Sequence, residues 1–480
     1  MKRECNISID LCAENKAVPM FQQIVEGIRQ NICSGILRPG DMLPSSRDFA
    51  RQLGVSRKTV VKATELLLLK GILVSKDRVG LFVASFSPRS ARPSAVGGVE
   101  ASPAIGGSSA SVLAVNDGFP DTRLLPFLEF TRAYRKLFNR AAQWKSLGYN
   151  SPVGYHKFRH AIASVLGHSR SLAVEDDELC VVRGSQMALY LVAHSVLTRG
   201  DHVAIESPGY GKAYEAFMAA GMTVHPVAVD SDGIDADAVG SLCRSVGLKA
   251  VYITPRHQYP TTVRLSMSRR HKLKRLTETY GLMVVEDDFG ADFQYSGSRL
   301  LPLSSMLDKT HYIYIGTFSK IFAPAIRVGY VVSSADTIAK IAAYRQLIDI
   351  QGDTVQERAL FELMDSGAIV RHVRRSSKVY RERLDHATKE IHRLLGPSVE
   401  YRKPHGGLAL WLTFSFACAE SSVAACLRRK GVEMPLFTLA DGTVGVRMGY
   451  ASLSNDEITH VVEAMAEVAS SLQGVRQAEV

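Results

Sequence analysis

No apolar run in the 480 residues approaches the ~20 that a membrane-spanning helix needs. The opening stretch, MKRECNISIDLC, leads into no long apolar core and no small-residue cleavage site, so no signal peptide is expected. Cysteine is sparse. The seven present are scattered without paired spacing, and an odd number suits reduced thiols in the cytoplasm better than a disulfide framework. No Cys/His cluster has zinc-ligand spacing, so no metal site is assigned. Repeats at solenoid periods are absent as well, which excludes a stacked array.

What remains is a hydrophobic share of 46% and a charged share of 22%, the balance of a soluble globular protein. The chain is too long for one ordinary core, so two or more domains are expected. The net charge of +11 is unevenly placed: residues 1–95 hold 15 Lys and Arg against 8 Asp and Glu. That asymmetry reads as a nucleic-acid-binding head on a nearly neutral body. Between them, SFSPRSARPSAVGGVEASPAIGGSSAS runs from Ser85 to Ser111. It nearly lacks large apolar residues and cannot build a core, so it reads as a flexible linker. The division is therefore a head over 1–84, a linker over 85–111 and a body over 112–480, with a smaller α+β subdomain from about 390 to 480.

In the head, PMFQQIVEGIRQNIC (19–33) sets Met20, Ile24, Ile28 and Ile32 on one helical face. Ser45 or Ser46 can cap a short helix ending near Leu53. Gly54 then turns the chain, and Ser56 caps a helix from Arg57 to about Lys70. Two short helices around LGVS have helix-turn-helix spacing. Recognition helices read base edges with N-terminal residues such as Arg57, Lys58 and Thr59. GILVSKDRVGLFVA follows as two short strands around a basic tip, which suits a wing on phosphates. An αα-hairpin with a solvated basic face would show the same local pattern.

The body alternates strands and helices, as in a mostly parallel, doubly wound sheet whose ligands sit beyond the carboxyl ends of the strands. After LCVV, Gly184 permits close approach, and Ser185 with the helix-start N–H groups can hold a phosphate. After HVAIE, a Pro-Gly turn presents Tyr210, a ring that can stack on another ring or simply pack. LMVVEDD ends a strongly apolar strand in Glu286, Asp287 and Asp288, carboxylates that need a partner when buried. A protonated pyridine nitrogen would be one. YIYIGT leads to Lys320 and then Arg327. Taken alone, Lys320 is a solvated loop lysine. Beside a phosphate clamp and an acid, it is the amine that pyridoxal phosphate (PLP) requires.

Two resemblances bear on this. LRPGDMLPSSRDFARQLGVSRKTVVKATELL is similar, nearly end to end, to the winged-helix head of the GntR family of bacterial regulators. That likeness implies DNA contacts from Arg47, Ser56, Arg57, Lys58 and Thr59. The wing departs from it, with Val79, Gly80 and Leu81 where the family has Ser-Gly-Thr. The body resembles fold-type I PLP enzymes of the aminotransferase class, most specifically at GTFSK with Arg327 after it. By that resemblance Lys320 forms the internal Schiff base (an aldimine) and Asp287 pairs with the ring nitrogen. Ser185, Gln186, Thr317, Ser319 and Arg327 surround the phosphate beside Gly184, and Tyr210 stacks on the ring. His257 and Gln258 are polar contacts of the ring or ligand. Arg447, in TVGVRMGYASL, takes the carboxylate of an amino-acid ligand; by itself it reads equally as a surface arginine.

A GntR-type head fused to such a body is the architecture of the MocR/GabR group of regulators. The fold class implied is multidomain: a mainly α winged helix-turn-helix head, a linker, and an α/β aminotransferase-like body. Implied partners are double-stranded operator DNA, a small amine or amino-acid effector, and a second copy in a homodimer whose heads cross to partner bodies. Cytoplasmic, nucleoid-associated residence in a bacterium goes with it. Two residues depart from the body's pattern. Phe289 replaces a tyrosine whose hydroxyl bonds the cofactor's 3′ oxygen, and Thr262 stands where glycine is usual. They favour a sensor over an enzyme. A working aminotransferase with an autoregulatory head, and a repressor whose body has lost its cofactor, are the alternatives.

Overall fold

Ile24 and Ile28 recur at helical spacing and are fully buried. They draw the first helix, α1 (Met20–Cys33), onto the rest of the head. Ser45 caps α2 (Ser46–Leu53) by accepting from the Asp48 N–H, and Gly54 ends it at φ +66°, a left-handed geometry that glycine adopts without strain. The next helix, α3 (Arg57–Leu69), packs on α1 and α2 through Val60, Ala63 and Leu67. Strands β1 (Leu73–Lys76) and β2 (Gly80–Val83) pair antiparallel, Leu73 opposite Val83.

The computed structural model describes residue 9 and residues 19–34, 36–69, 72–76, 80–84, 112–138, 148–290, 292–297 and 300–478. The expected linker, 85–111, and Val79 of the wing tip lie outside the described residues. The chain divides into two compact units, 1–106 and 107–480. Among the described residues no helix is long and apolar enough to cross a membrane, and no group of three or more His, Cys, Asp or Glu could hold a metal ion.

The larger unit begins with β3 (Leu113–Ala114), α4 (Phe127–Phe138) and α5 (His156–Arg170). Its main sheet and helices then alternate: β4 (Leu179–Val182), α6 (Ser185–Ser195), β5 (His202–Ser207), α7 (Gly211–Ala219), β6 (Thr223–Asp230), β7 (Gly233–Ile234), α8 (Ala236–Val246), β8 (Ala250–Ile253), α9 (Met267–Tyr280), β9 (Met283–Asp287), β10 (Tyr312–Thr317) and β11 (Gly329–Val332). Among the described residues this sheet has eight strands in the order β4-β11-β10-β9-β8-β5-β6-β7. From β10 through β6 the pairs are parallel, and β11 runs against both its neighbours. Both faces are covered by apolar clusters, which is why β4, β8 and β10 are buried along their whole length.

Three helices follow: α10 (Ala335–Asp349), α11 (Thr354–Asp365) and the long α12 (Ala368–Leu394). The C-terminal half of α12 enters a second core through Tyr380, Leu384, Ala387 and Ile391. That core packs under β12 (Val399–Tyr401), β13 (Leu410–Ala417), β15 (Leu436–Thr438) and β16 (Thr443–Met448), an antiparallel sheet in the order β12-β13-β16-β15. It also takes in α13 (Glu420–Arg429) and α14 (Asn455–Ala478), while β14 (Val432–Glu433) pairs with β3. The smaller lobe thus reaches back to Val115 and to mid-α12, beyond the stretch from about 390 to 480.

Candidate functional site

The parallel strands β10, β9, β8 and β5 end at one edge of the sheet, and β11 starts there, with Gly329 opposite both Thr317 and Val182. That register brings the loops after β4, β5, β8, β9 and β10 together, so residues far apart in sequence share one rim.

Lys320 lies just past β10. Its Nζ donates to the Gly118 carbonyl oxygen at 3.0 Å and sits 4.6 Å from the centre of the Phe119 ring. Burial holds its pKa below the ordinary lysine value; Asp117 opposes that shift and Arg447 adds to it. Lys320 shares a narrow pocket with Arg447, His257, Thr262 and Phe289.

The three successive acids of β9 have three different environments. Glu286 accepts from Leu303 N and Ser304 N, and Asp288 accepts from Arg256 Nη1 at 3.1 Å and from the Tyr314 hydroxyl at 2.6 Å. Asp287, 4% exposed, receives the Tyr252 hydroxyl at 3.2 Å on Oδ2, while its Oδ1 is buried without a partner. Burial pushes its carboxyl up to about 7; the Tyr252 bond and Lys320 work against that rise, and Asp288 adds to it. Glu206, at the end of β5, is likewise raised to about 7 by burial and accepts from the Thr254 hydroxyl at 2.6 Å.

Around Gly184 the backbone makes a cradle. Gly184 precedes α6 at φ +81° with no side chain capping the helix, so the first-turn N–H groups keep their capacity to bind an anion. A Cβ there would stand 3.0 Å from Arg327 Nη2, so the guanidinium would have to shift to make room. Arg327 itself is at φ +47° and donates to the Arg183 carbonyl oxygen at 3.0 Å. The Thr317 hydroxyl accepts from Ser319 N at 3.1 Å, and the buried hydroxyl of Ser319 has no partner. Ser185 opens α6, and the amide oxygen of Gln186 is also buried and unpartnered.

Tyr210, at the start of α7, meets Tyr259 edge to face at 5.4 Å, and Tyr259 in turn lies 4.7 Å under the Arg447 guanidinium. Arg447 is 3% exposed, so it is no surface arginine. It donates to the carbonyl oxygens of Asp117 (2.7 Å) and Pro260 (2.6 Å). His257 is buried, and burial with the nearby Arg264 and Arg256 lowers its pKa to about 3, leaving a neutral imidazole. The Gln258 amide is taken up locally: Nε2 donates to Pro208 O at 2.8 Å, and Oε1 accepts from Thr261 N at 3.1 Å. It ties two rim loops together. Thr262 holds φ +60°, a region that glycine fills freely and a β-branched residue does not.

Sequence reasoning missed Asp117, Gly118, Phe119 and Tyr252. The first three lie some 200 residues from Lys320 without a motif of their own, whereas the alternation of AVYITP could have pointed to Tyr252. In the head, Arg47, Ser56, Arg57 and Lys58 are exposed. Ser56 accepts from Thr59 N at 3.2 Å, capping α3, and Arg57 Nε donates to the Ser46 hydroxyl at 3.2 Å.

An acid with a free buried oxygen, an uncapped helix start beside an arginine and an unpartnered hydroxyl, and an amine depressed by burial form a donor set that fits PLP. Comparison with known proteins agrees. Residues 112–465 match the family described as aminotransferase class I and II, and residues 21–83 match the bacterial regulatory proteins of the gntR family. The probable rhizopine catabolism regulatory protein MocR of Rhizobium meliloti is 26% identical, covering 91% of each chain. The HTH-type pyridoxine biosynthesis transcriptional regulator PdxR of Corynebacterium glutamicum is 28% identical, over 93% of this chain and 95% of its own. Among solved structures, the α-aminoadipate aminotransferase LysN of Thermus thermophilus, complexed with N-(5′-phosphopyridoxyl)-L-leucine, superimposes with a TM-score of 0.68. It is 25% identical, covering 76% of this chain and 93% of that one. The chain belongs to the aminotransferase class I and II family, and with its GntR-family head it is a transcriptional regulator of the MocR type whose body is built for pyridoxal phosphate.

Proposed function

We propose that the body is a sensor: it holds PLP at Lys320, reads an amine or amino acid there, and passes the result to the DNA-binding head. The observation that carries this reading is the unpartnered, buried Oδ1 of Asp287 beside an amine depressed by burial. When bound, the cofactor supplies an aldehyde and an electron-withdrawing ring. Lys320, kept closer to its neutral form, is the amine that would hold the cofactor through its aldehyde, with loss of water. Asp287 pairs with the ring nitrogen and Tyr252 holds its other oxygen in place. Ser185, Gln186, Thr317, Ser319 and Arg327 bind the phosphate with the first turn of α6. Tyr210 covers the ring, and neutral His257 lines the polar side. Arg447 receives the carboxylate of an amino-acid ligand.

Sensing rather than turnover follows from two side chains in the pocket wall. Phe289 brings no hydroxyl to the cofactor, and Thr262 adds bulk where a backbone alone would leave room. The head, over 1–84, reads operator DNA through Arg47, Ser56, Arg57, Lys58 and Thr59. The linker over 85–111 lets each head of a homodimer reach the partner's body over 112–480. Ligand binding shifts the balance between two arrangements of that assembly.

The test follows operator affinity of the PLP-loaded protein while amines and amino acids are titrated, with keto acid assayed in the same samples. We expect one class of amine to change operator affinity about tenfold, the scale of an ordinary coupling energy, without steady keto-acid release. Arg447→Ala should lose the response to amino acids and keep PLP. Keto-acid production at ordinary enzyme rates, with operator affinity unmoved, would overturn the reading.

A further inference from the structure

A cleft of about 560 Å³ shares no wall residue with the narrow pocket at Lys320. Its size is that of a small-molecule site. One wall is apolar, with Val165 and Leu166 from α5 facing Ile369 and Val370 from α12. The other end is polar and buried, built by Arg170 (5% exposed) and Asp288 (6% exposed) with Asp292 beside them.

The bonding at that end is incomplete in a specific way. Arg170 Nη2 donates to Asp292 Oδ1 at 2.9 Å, but Nε makes no hydrogen bond and only a long ion pair, 3.7 Å, with Asp288 Oδ2. Asp288 Oδ2 is filled by Tyr314 and Arg256, while Oδ1 is buried and unpartnered. One donor and one acceptor, on neighbouring side chains lining the same cleft, are left unused. Buried polar atoms are rarely left so. At this buried end the charges balance, Arg170 and Arg256 against Asp288 and Asp292, so a charged head group seated there would arrive without a counter-ion; the cleft's further cation, Arg374 of α12, is exposed.

We propose that this cleft is a second ligand site, for a small and mainly apolar molecule whose uncharged head both donates and accepts a hydrogen bond, an alcohol or primary carboxamide. The head gives its proton to Asp288 Oδ1 and accepts from Arg170 Nε, and the apolar part lies between α5 and α12. Thr317, Phe318 and Ile321 also line the cleft and flank Lys320, and Asp288 adjoins Asp287. An occupant therefore bears on the segment that carries Lys320, which makes the site a regulatory one.

The experiment titrates hexanamide and 1-hexanol into the PLP-loaded full chain by calorimetry. Hexanoate and hexyltrimethylammonium, neither of which reacts with an aldehyde, serve as charged counterparts. Val165→Trp and Val370→Trp fill the cleft from half-exposed wall positions that tolerate bulk, and the visible cofactor band reports that each variant is intact. Hexanamide should bind saturably at one site per chain, at least about tenfold more tightly than either charged counterpart. The tryptophan variants should weaken it about tenfold or more, a loss of roughly 1.4 kcal/mol. Lys320→Ala should still bind hexanamide saturably at one site per chain, so the existence of the site does not hinge on how the cofactor is held. Absence of saturable binding, equal binding of the charged molecules, or binding untouched by both intact tryptophan variants would overturn the proposal.

Discussion

The Tyr252 hydroxyl donates to one oxygen of Asp287 at 3.2 Å and leaves the other buried and unpartnered. A carboxylate in that position is costly in the free protein and satisfied once a cationic group meets it. The pairing orients the acid without neutralising it.

From this follows a pH dependence. Asp287 has a folded-state pKa of about 7 against an ordinary 3.8. A carboxyl raised in this way lends its stabilisation below the ordinary value and loses it as the pH climbs through about 7. The cofactor-free protein should therefore lose stability between about pH 4 and 7, with Asp287 contributing on the order of 1 kcal/mol or more. Thermal midpoints of the natural chain and of Asp287→Asn across that range check this, and identical slopes would contradict it. Glu206 titrates in the same window, so the difference between the two proteins is the quantity to read.

Tyr252→Phe removes the donor that opposes the rise of the Asp287 pKa. PLP affinity, measured by equilibrium dialysis, should fall about tenfold, the worth of one hydrogen bond to a charged group. Unchanged affinity would mean that Tyr252 only packs.

Thr262 occupies φ +60°. Backbone strain of this kind costs about 1–3 kcal/mol, part of which glycine returns through its own chain entropy. Thr262→Gly should stabilise the body by about 1 kcal/mol in urea unfolding and open the Lys320 pocket to amines. Lower stability would show that the loop relies on the threonine side chain.

In the head, Arg57→Ala should weaken operator binding by about 1–3 kcal/mol if Arg57 contacts a base edge. The cofactor band should stay as it was. Equal loss on random DNA would instead make Arg57 a phosphate contact.

What could be read from the sequence was local. Ser45, Gly54 and Ser56 mark helix ends because caps and left-handed turns depend on neighbours in the chain. That Asp287, Lys320 and Tyr210 fall at the carboxyl ends of strands was legible because apolar runs precede each of them. What stayed hidden was set by packing across the chain. Nothing near Asp117 or Gly118 announces that their carbonyls hold Arg447 and Lys320. The run Glu286-Asp287-Asp288 looked like one acidic group, yet Ser304, Tyr252 and Arg256 with Tyr314 divide it into three. Gln258 resembled a ligand contact and instead ties loops.

The most direct test is the visible absorption of the purified chain with added PLP, compared with Lys320→Ala. The account predicts a visible band in the natural chain and none in the variant, with operator binding by the variant partly kept. A band of equal strength in both, or in neither, would contradict the assignment of Lys320 as the residue that holds the cofactor.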